Sequence, residues 1–449
     1  MGLGEHTRCQ FVPPFVLRQI ADAGQASRGG GAAAAAAAES LALDEGIRTG
    51  RAAPDDAPHV EAVDGAWTVY TADQGTTLPG LRVRGAGEPA TGDAAVDEAA
   101  VGGAGALALF AEVYGRESFD GEGAEVVMTV HYGRNYDNAF WNGTQLVFGD
   151  GDGQVFDRFT KPVDVLGHEL THAVTEHTAG LVYRDQPGAL NESMSDVFAC
   201  CAKQRMLGQD VTQADWLIGA GLFLPGIRAR ALRDMANPGT AYDDPMLGRD
   251  PQVGHLDDYV QTTDDNGGVH LNSGIPNRAF HLAATGIGGT SWDGAGAIWY
   301  AALTGPDVGP TTDFAGFAAA TVAAAGEHAE AVRAAWTAVG VAVDAQDAPA
   351  DSRGSSAAAT QVAVRRTGGF AGLTRSGSVD LAVPSPRTAR VRELVDRVDL
   401  ASVGGGEPQP DRYSYTFCLP GCADVDVPEQ HLTPDLRELA DLVLESDEG

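Results

Sequence analysis

Basic residues are scarce in this sequence. Thirty Lys and Arg stand against 62 Asp and Glu in 449 residues, a formal net charge of −32. A surface this acidic repels nucleic acid and anionic lipid, so neither is expected as a partner. Cysteine is scarce too. The five, Cys9, Cys200, Cys201, Cys418 and Cys422, cannot form an even framework. Cys200 and Cys201 are adjacent in an apolar stretch and read as small packing groups. Only Cys418 with Cys422 has a spacing that invites closure, and the pattern as a whole suits a reducing compartment. The N-terminal stretch MGLGEHTRCQFVPPF holds one arginine and no long apolar run before its two prolines. That excludes the usual secretory signal from this stretch. The expectation is a protein cytoplasmic at synthesis, with a non-classical route of export left open. The run GGGAAAAAAAES, Gly29 to Ser40, is too weakly hydrophobic for a membrane span.

What is present is a metal-binding pattern. HELTH, His168 to His172, places two histidines four apart, one turn above the other on one helix face. Chance gives about 0.02 H-E-x-x-H matches in a chain of this composition. Glu169 points about 100° away around the helix, too far to join the pair as a ligand but able to reach a water beside the metal. Val163, Val165, Leu166, Ala173 and Val174 flank the motif, so the helix is largely buried. Polar groups there need partners. Catalytic zinc takes a third protein ligand and keeps one position open. Downstream, GALNESMSDVFA offers Glu192 for that place. Asp196, one turn further, can accept the spare N–H of a ligand histidine.

The stretch GHELTHAVTEHTAGLVYRDQPGALNESMSDVFA resembles the zinc-site region of the thermolysin family. The resemblance spans about Trp67 to Val343. It implies an α+β fold of two lobes, β-rich at the N-terminal side and helical at the C-terminal side, with the HELTH helix at the cleft floor. It implies one catalytic Zn2+ held by His168, His172 and Glu192, Glu169 as general base and Asp196 behind a ligand histidine. Tyr183 takes the place of the transition-state tyrosine. NAFWNGTQLVFGDGDG resembles the family's edge strand, where Asn138 and Ala139 would bind substrate backbone as an added strand. DDNGGVHLNSGIPNRAF supplies His270 as oxyanion donor and Asp265 to orient it. Arg233 would line the pocket for the residue after the scissile bond. Phe156, Val165 and Leu232 match its apolar lining, so an apolar residue is expected there. One departure concerns calcium. The family's double site uses a glutamate where this chain has Lys203, although Asp164 remains. The double site is therefore expected to be absent, with calcium elsewhere left open; the Gly-Asp-Gly-Asp-Gly turn alone is a faint hint of it.

The chain divides by composition. Residues 1–50, with CQFVPPFVLRQIA and a Gly/Ala-rich run, resemble the short propeptide of the protealysin subgroup. Cys9 is able to offer zinc a thiolate, though no spacing demands it. Residues 58–183 would form the N-terminal peptidase lobe and 184–346 the helical lobe. Residues 347–359 read as a linker. Residues 360–449 read as a small α/β module in which RRTGGFAGLTRS resembles emfourin, an inhibitor of protealysin. Gly368, Gly369, Phe370 and Leu373 would form its inhibitory loop. The expected function is a zinc endopeptidase acting on peptides or proteins, made as a precursor and restrained by its own propeptide and C-terminal module in cis or in trans. The alternative is a non-catalytic or permanently latent binding protein on the same scaffold.

Overall fold

The computed structural model describes residues 9–26, 31–48, 66–343, 361–368, 375–381, 386–395, 397–398, 413–418 and 425–444. The chain separates into two compact units, Met1–Asp347 and Ala348–Gly449.

The first unit opens with two helices, α1 (Pro14–Ala26) and α2 (Gly31–Arg48), packed against each other. The alanine run that reads as low complexity is the body of α2. Alanine loses no side-chain entropy in a helix, and α1 supplies a face to pack on. Phe11, Val12, Val16, Leu17 and Ile20 belong to the same buried core as the lobes that follow.

The N-terminal lobe carries β1 (Trp67–Thr71), β2 (Leu81–Gly85), α3 (Ala94–Tyr114), β3 (Val126–Val130), β4 (Ala139–Trp141) and β5 (Leu146–Phe148). The strand order is β2-β1-β3-β5-β4, so β4 is an edge. It pairs antiparallel with β5 through Ala139–Phe148 and Trp141–Leu146. Helix α3 begins at Ala94, where Asp93 caps it by accepting from the Ala95 and Val96 amides. By length and composition α3 is apolar enough to cross a bilayer, but half of that stretch is buried inside the protein. It packs on the sheet and on α4 (Val163–Glu176).

Helix α4 is the centre of the unit. Every residue from Asp164 to Thr175 is buried. It packs along α5 (Asp185–Leu207). Gly167 permits the approach, since a Cβ there would stand 3.0 Å from the Ala199 Cα. The short pairs β6 (Leu217–Ile218) with β7 (Arg233–Asp234), and β8 (Asp243–Asp244) with β9 (Gly248–Arg249), lead into a helical lobe. Its helices are α6 (Asp265–Asn272), α7 (Gly274–Ile287), α8 (Ala295–Leu303), α9 (Phe314–Ala324) and α10 (Ala329–Ala338). Trp299 and Trp336 stack at 5.9 Å in its core.

The second unit has its own core. A sheet ordered β11-β10-β12-β13 is built from β10 (Gln361–Gly368), β11 (Arg375–Asp380), β12 (Tyr413–Cys418) and β13 (Val425–Pro428). All its pairings are antiparallel. Helices α11 (Pro386–Val395) and α12 (Pro434–Leu444) complete it. Val362, Val364, Leu394, Phe417, Leu436, Leu439 and Val443 are buried together. Gly368 ends β10; Gly369, Phe370 and Leu373 of the expected loop, and Cys422, lie outside the described residues.

Candidate active site

The helical spacing of His168 and His172 brings their Nε2 atoms to 3.0 Å from each other. Each ring is held from behind. His168 Nδ1 lies 2.9 Å from Asp196 Oδ1, and His172 Nδ1 lies 2.8 Å from Asn191 Oδ1. Both partners accept, so both Nδ1 atoms carry hydrogen and both Nε2 lone pairs face one point. Glu192 Oε2 is 3.5 Å from His168 Nε2, and Oε1 is 3.7 Å from His172 Nε2. Oε2 has no hydrogen-bond partner. Cys9 Sγ joins them: the four possible ligand atoms lie within 4.8 Å of one another, all buried. Two lone pairs and a carboxylate crowded in an apolar interior need a cation between them. A tetrahedral zinc with nitrogen ligands at its usual bond length would set them about 3.3 Å apart, so the residues fit zinc.

The electrostatics agree with that division of labour. Burial pushes His172 down to about 3, so it is neutral, as a ligand must be. Burial would raise Glu192, but His270, His172 and His168 outweigh it and hold the carboxylate at about 2. Asp196 is likewise raised by burial and held well below the usual carboxylate range by Arg233 and His168. Arg233 donates to it twice, from Nε at 2.7 Å and from Nη2 at 2.8 Å. With His168 Nδ1, Asn277 Nδ2 at 2.8 Å makes four donors to this carboxylate. Glu169 stands apart. Burial and then Glu192 push its carboxyl well upward, and neither oxygen makes a well-formed hydrogen bond, although the Trp141 amide faces it.

Opposite the cluster stand His270 and Tyr183. The Tyr183 hydroxyl donates to Glu192 Oε1 and lies 3.3 Å from His270 Nε2. Asp265 fixes the histidine: its Oδ1 is 2.7 Å from His270 Nδ1, and its Oδ2 accepts the His270 amide at 3.1 Å. Burial lowers the His270 pKa, but Asp265 and Glu192 outweigh it and the net shift is upward. The backbone reaches this arrangement by a left-handed run. Asp265, Asn266, Gly267 and Gly268 all have φ between +51° and +86°. At Gly267 a Cβ would stand 2.1 Å from Asp185 Oδ1, so no side chain fits.

Asn138, Ala139 and Arg233, expected to bind substrate, are already engaged by the chain's own Phe11 and Val12. The Phe11 amide donates to the Ala139 carbonyl at 3.0 Å. Asn138 takes both backbone groups of Val12, accepting from its N–H at 2.8 Å and donating to its carbonyl at 3.2 Å. Arg233 Nη1 donates to the Phe11 carbonyl at 3.2 Å. The Phe11 ring is fully buried, edge-on to His168 at 5.1 Å and 4.9 Å below the Arg233 guanidinium. Gly219 leaves room for it: a Cβ there would meet Leu232 at 3.3 Å and the Phe11 ring at 3.4 Å. Val165 is fully buried in α4. Phe156 is buried against Phe159 and Phe223. Asp44 of α2 contacts the edge strand, accepting from Tyr136 Oη at 2.5 Å and from Asn138 Nδ2 at 3.0 Å.

Comparison with known proteins agrees with this geometry. The model for the thermolysin metallopeptidase catalytic domain matches residues 60–176, and that for its alpha-helical domain matches 179–341. The chain belongs to the thermolysin family of metallopeptidases. The precursor of protealysin, a metalloproteinase from Serratia proteamaculans, superposes with a TM-score of 0.67 at 46% identity, over 74% of this chain and 100% of that one. An extracellular metalloprotease of Pectobacterium carotovorum subsp. carotovorum is 47% identical over 341 residues, 75% of this chain and 97% of that one. Thermolysin of Alicyclobacillus acidocaldarius subsp. acidocaldarius is 44% identical over 246 residues, 52% of this chain and 42% of that one. Residues 364–444 match the emfourin model. The chain is thus a thermolysin-family metallopeptidase precursor carrying an emfourin domain. The expected cytoplasmic location is overturned by the extracellular relative. That expectation rested on a missing apolar segment, which speaks to one route of export only.

Sequence reasoning missed Asn191 and Asn277. Both stand inside quoted motifs, Asn191 directly before Glu192 and Asn277 seven residues after His270, where a buried amide has to be satisfied. It left Cys9 without a required role, because nothing in the spacing reports a contact across 183 residues.

Proposed function

We propose that this chain is the precursor of a zinc-dependent endopeptidase that cleaves peptide bonds preceding an apolar residue. One observation carries the reading. Two histidine Nε2 atoms 3.0 Å apart, a carboxylate at about 3.5 Å and an unpartnered buried Glu169 converge on one point faced by Tyr183 and His270. His168, His172 and Glu192 would hold the metal, with Cys9 as a fourth ligand in the precursor. Bound zinc supplies Lewis acidity, lowering the pKa of water and polarising a carbonyl.

The chain's own residues do the rest. Glu169, with its raised proton affinity, takes the proton of the attacking water and passes it to the leaving amine. Tyr183 and His270 donate to the oxygen where negative charge grows. Asp265 keeps His270 in the orientation that presents Nε2. Asp196 and Asn191 fix the histidine tautomers. Asn138 and Ala139 hold substrate as an added strand, and Arg233 fixes the carbonyl after the bond. The seat taken by Phe11, beside His168 and over Gly219, supports the apolar preference. Lys203, 3.3 Å from Asp164, neutralises that carboxylate without a metal, which supports loss of the double calcium site.

Residues 1–50 act as a removable propeptide, and 360–449 restrain the enzyme. The emfourin match supports the second point.

The purified protein should carry one zinc per chain. His168→Ala should lose it, measured by metal analysis, and peptides with an apolar residue after the bond should be preferred. A chain ending near Ala350 should turn over faster than the processed full-length form, and added residues 360–449 should suppress it. Equal activity and no suppression would remove the inhibitory role.

A further inference from the structure

The contacts of residues 9–12 define a register as well as an occupied cleft. The amide on the edge strand is that of Phe11, whose N–H meets the Ala139 carbonyl at 3.0 Å. The carbonyl held by Arg233 is that of Phe11, and Asn138 takes both backbone groups of Val12. One residue earlier, the Gln10 carbonyl lies 3.1 Å from His270 Nε2. In a substrate, the carbonyl facing that histidine and the amide next along the chain belong to the bond being cut. Here that bond is Gln10–Phe11.

We propose that the precursor holds Gln10–Phe11 as a scissile bond and hydrolyses it in cis, as a first step of activation, once Cys9 withdraws from the ligand cluster. The proposal rests on the peptidase reading above. Cys9 explains why the bond survives meanwhile. Its Sγ donates to Glu192 Oε1 at 2.7 Å and lies 2.9 Å from the Tyr183 hydroxyl. It therefore fills the corner that the attacking water needs and engages one of the two oxyanion donors. When the thiol swings out, the Gln10 carbonyl and the Phe11 nitrogen need no rearrangement. The hydroxyl of one water adds to the Gln10 carbonyl carbon. The C–N bond breaks, Glu169 carries the proton to nitrogen, and Gln10 leaves as a carboxylate while Phe11 becomes an ammonium. Nothing is oxidised or reduced.

The Phe11 side of the bond is firmly anchored. Beyond it, Pro13 and Pro14 fix the backbone. Helix α1 then buries Val16, Leu17 and Ile20, and Asp44 of α2 grips Asn138 and Tyr136. The cut thus frees residues 1–10 first, and the part from Phe11 onward stays docked until a second cut further along.

The test uses the full-length, zinc-loaded chain and intact-mass spectrometry. The expected product has Phe11 as its new N-terminus, at a rate independent of protein concentration. Cys9→Ala should accelerate it at least about tenfold by freeing a donor and the water position. Glu169→Ala should abolish it. A peptide with an apolar residue after the bond is assayed alongside. If that peptide is cut while Gln10–Phe11 stays intact in wild type and in Cys9→Ala, the inference is wrong and the peptidase reading stands. If neither is cut, the inference falls. A cut that scales with concentration, or persists in Glu169→Ala, also overturns it. A second readout needs no turnover. In the Glu169→Ala background, Phe11→Lys should raise labelling of Cys9 by a thiol reagent at least about tenfold, since an ammonium cannot occupy a buried seat beneath the Arg233 guanidinium. Unchanged labelling would contradict the register.

Discussion

Lys203→Met removes the cation that neutralises Asp164. The lysine is 7% exposed and its Nζ lies 3.3 Å from Asp164 Oδ2, 2.9 Å from Asp215 Oδ1 and 2.5 Å from the Leu217 carbonyl. Asp164 is fully buried, and its remaining donor is the Gly219 amide at 3.2 Å. Breaking a buried pair from one side costs about 3–5 kcal/mol, because a charge is left without its partner. A unit of 347 residues unfolds with an entropy near 0.7 kcal/mol per kelvin, so Tm should fall by about 4–7 °C. Burial already raises Asp164 above its usual value, with Lys203 opposing. Losing Lys203 raises it further. The folded state then binds more protons than the unfolded state from about pH 4 up to that raised value, so stability falls as pH climbs through the window. The deficit should be smaller at pH 5 than at pH 8. The double variant Lys203→Met/Asp164→Asn, with no charge left, should recover most of the loss. Thermal unfolding in the Glu169→Ala background, which avoids self-digestion, measures all three. A deficit equal at both pH values, or a double variant no better than the single, would refute the reasoning.

Removal of either oxyanion donor, Tyr183→Phe or His270→Ala, should lower kcat by about 10²–10³ with zinc retained. A change confined to KM would remove the assigned role. Gly267→Ala should cut activity and stability together, since its Cβ would collide with Asp185 and disturb the Asp265–His270 pair. Normal unfolding and normal kcat in that variant would show that the left-handed run tolerates a side chain.

The site was legible where its chemistry is written in short spacings. HELTH sets two histidines on one face by helix geometry alone, and Asp196 follows Glu192 by one turn of α5. The edge strand beside the cleft was legible from NAFW, and β4 stands at the sheet edge. What stayed hidden depends on contacts distant in sequence. Cys9 reaches Glu192 across 183 residues, and His270 meets the Gln10 carbonyl across 260. No periodicity encodes either. The alanine run drew no helix assignment for another reason. Composition alone does not tell a disordered alanine tract from a helix, and the partner that decides it is α1.

On the proposed mechanism the buried Glu169 carboxylate of α4, which makes no well-formed hydrogen bond, moves the proton in peptide hydrolysis. Glu169→Ala isolates that role when zinc content and turnover are measured on the same sample. The variant should hold one zinc per chain, as in wild type, and lose nearly all turnover. Full zinc with near-wild-type cleavage of a peptide bearing an apolar residue after the bond would contradict that role.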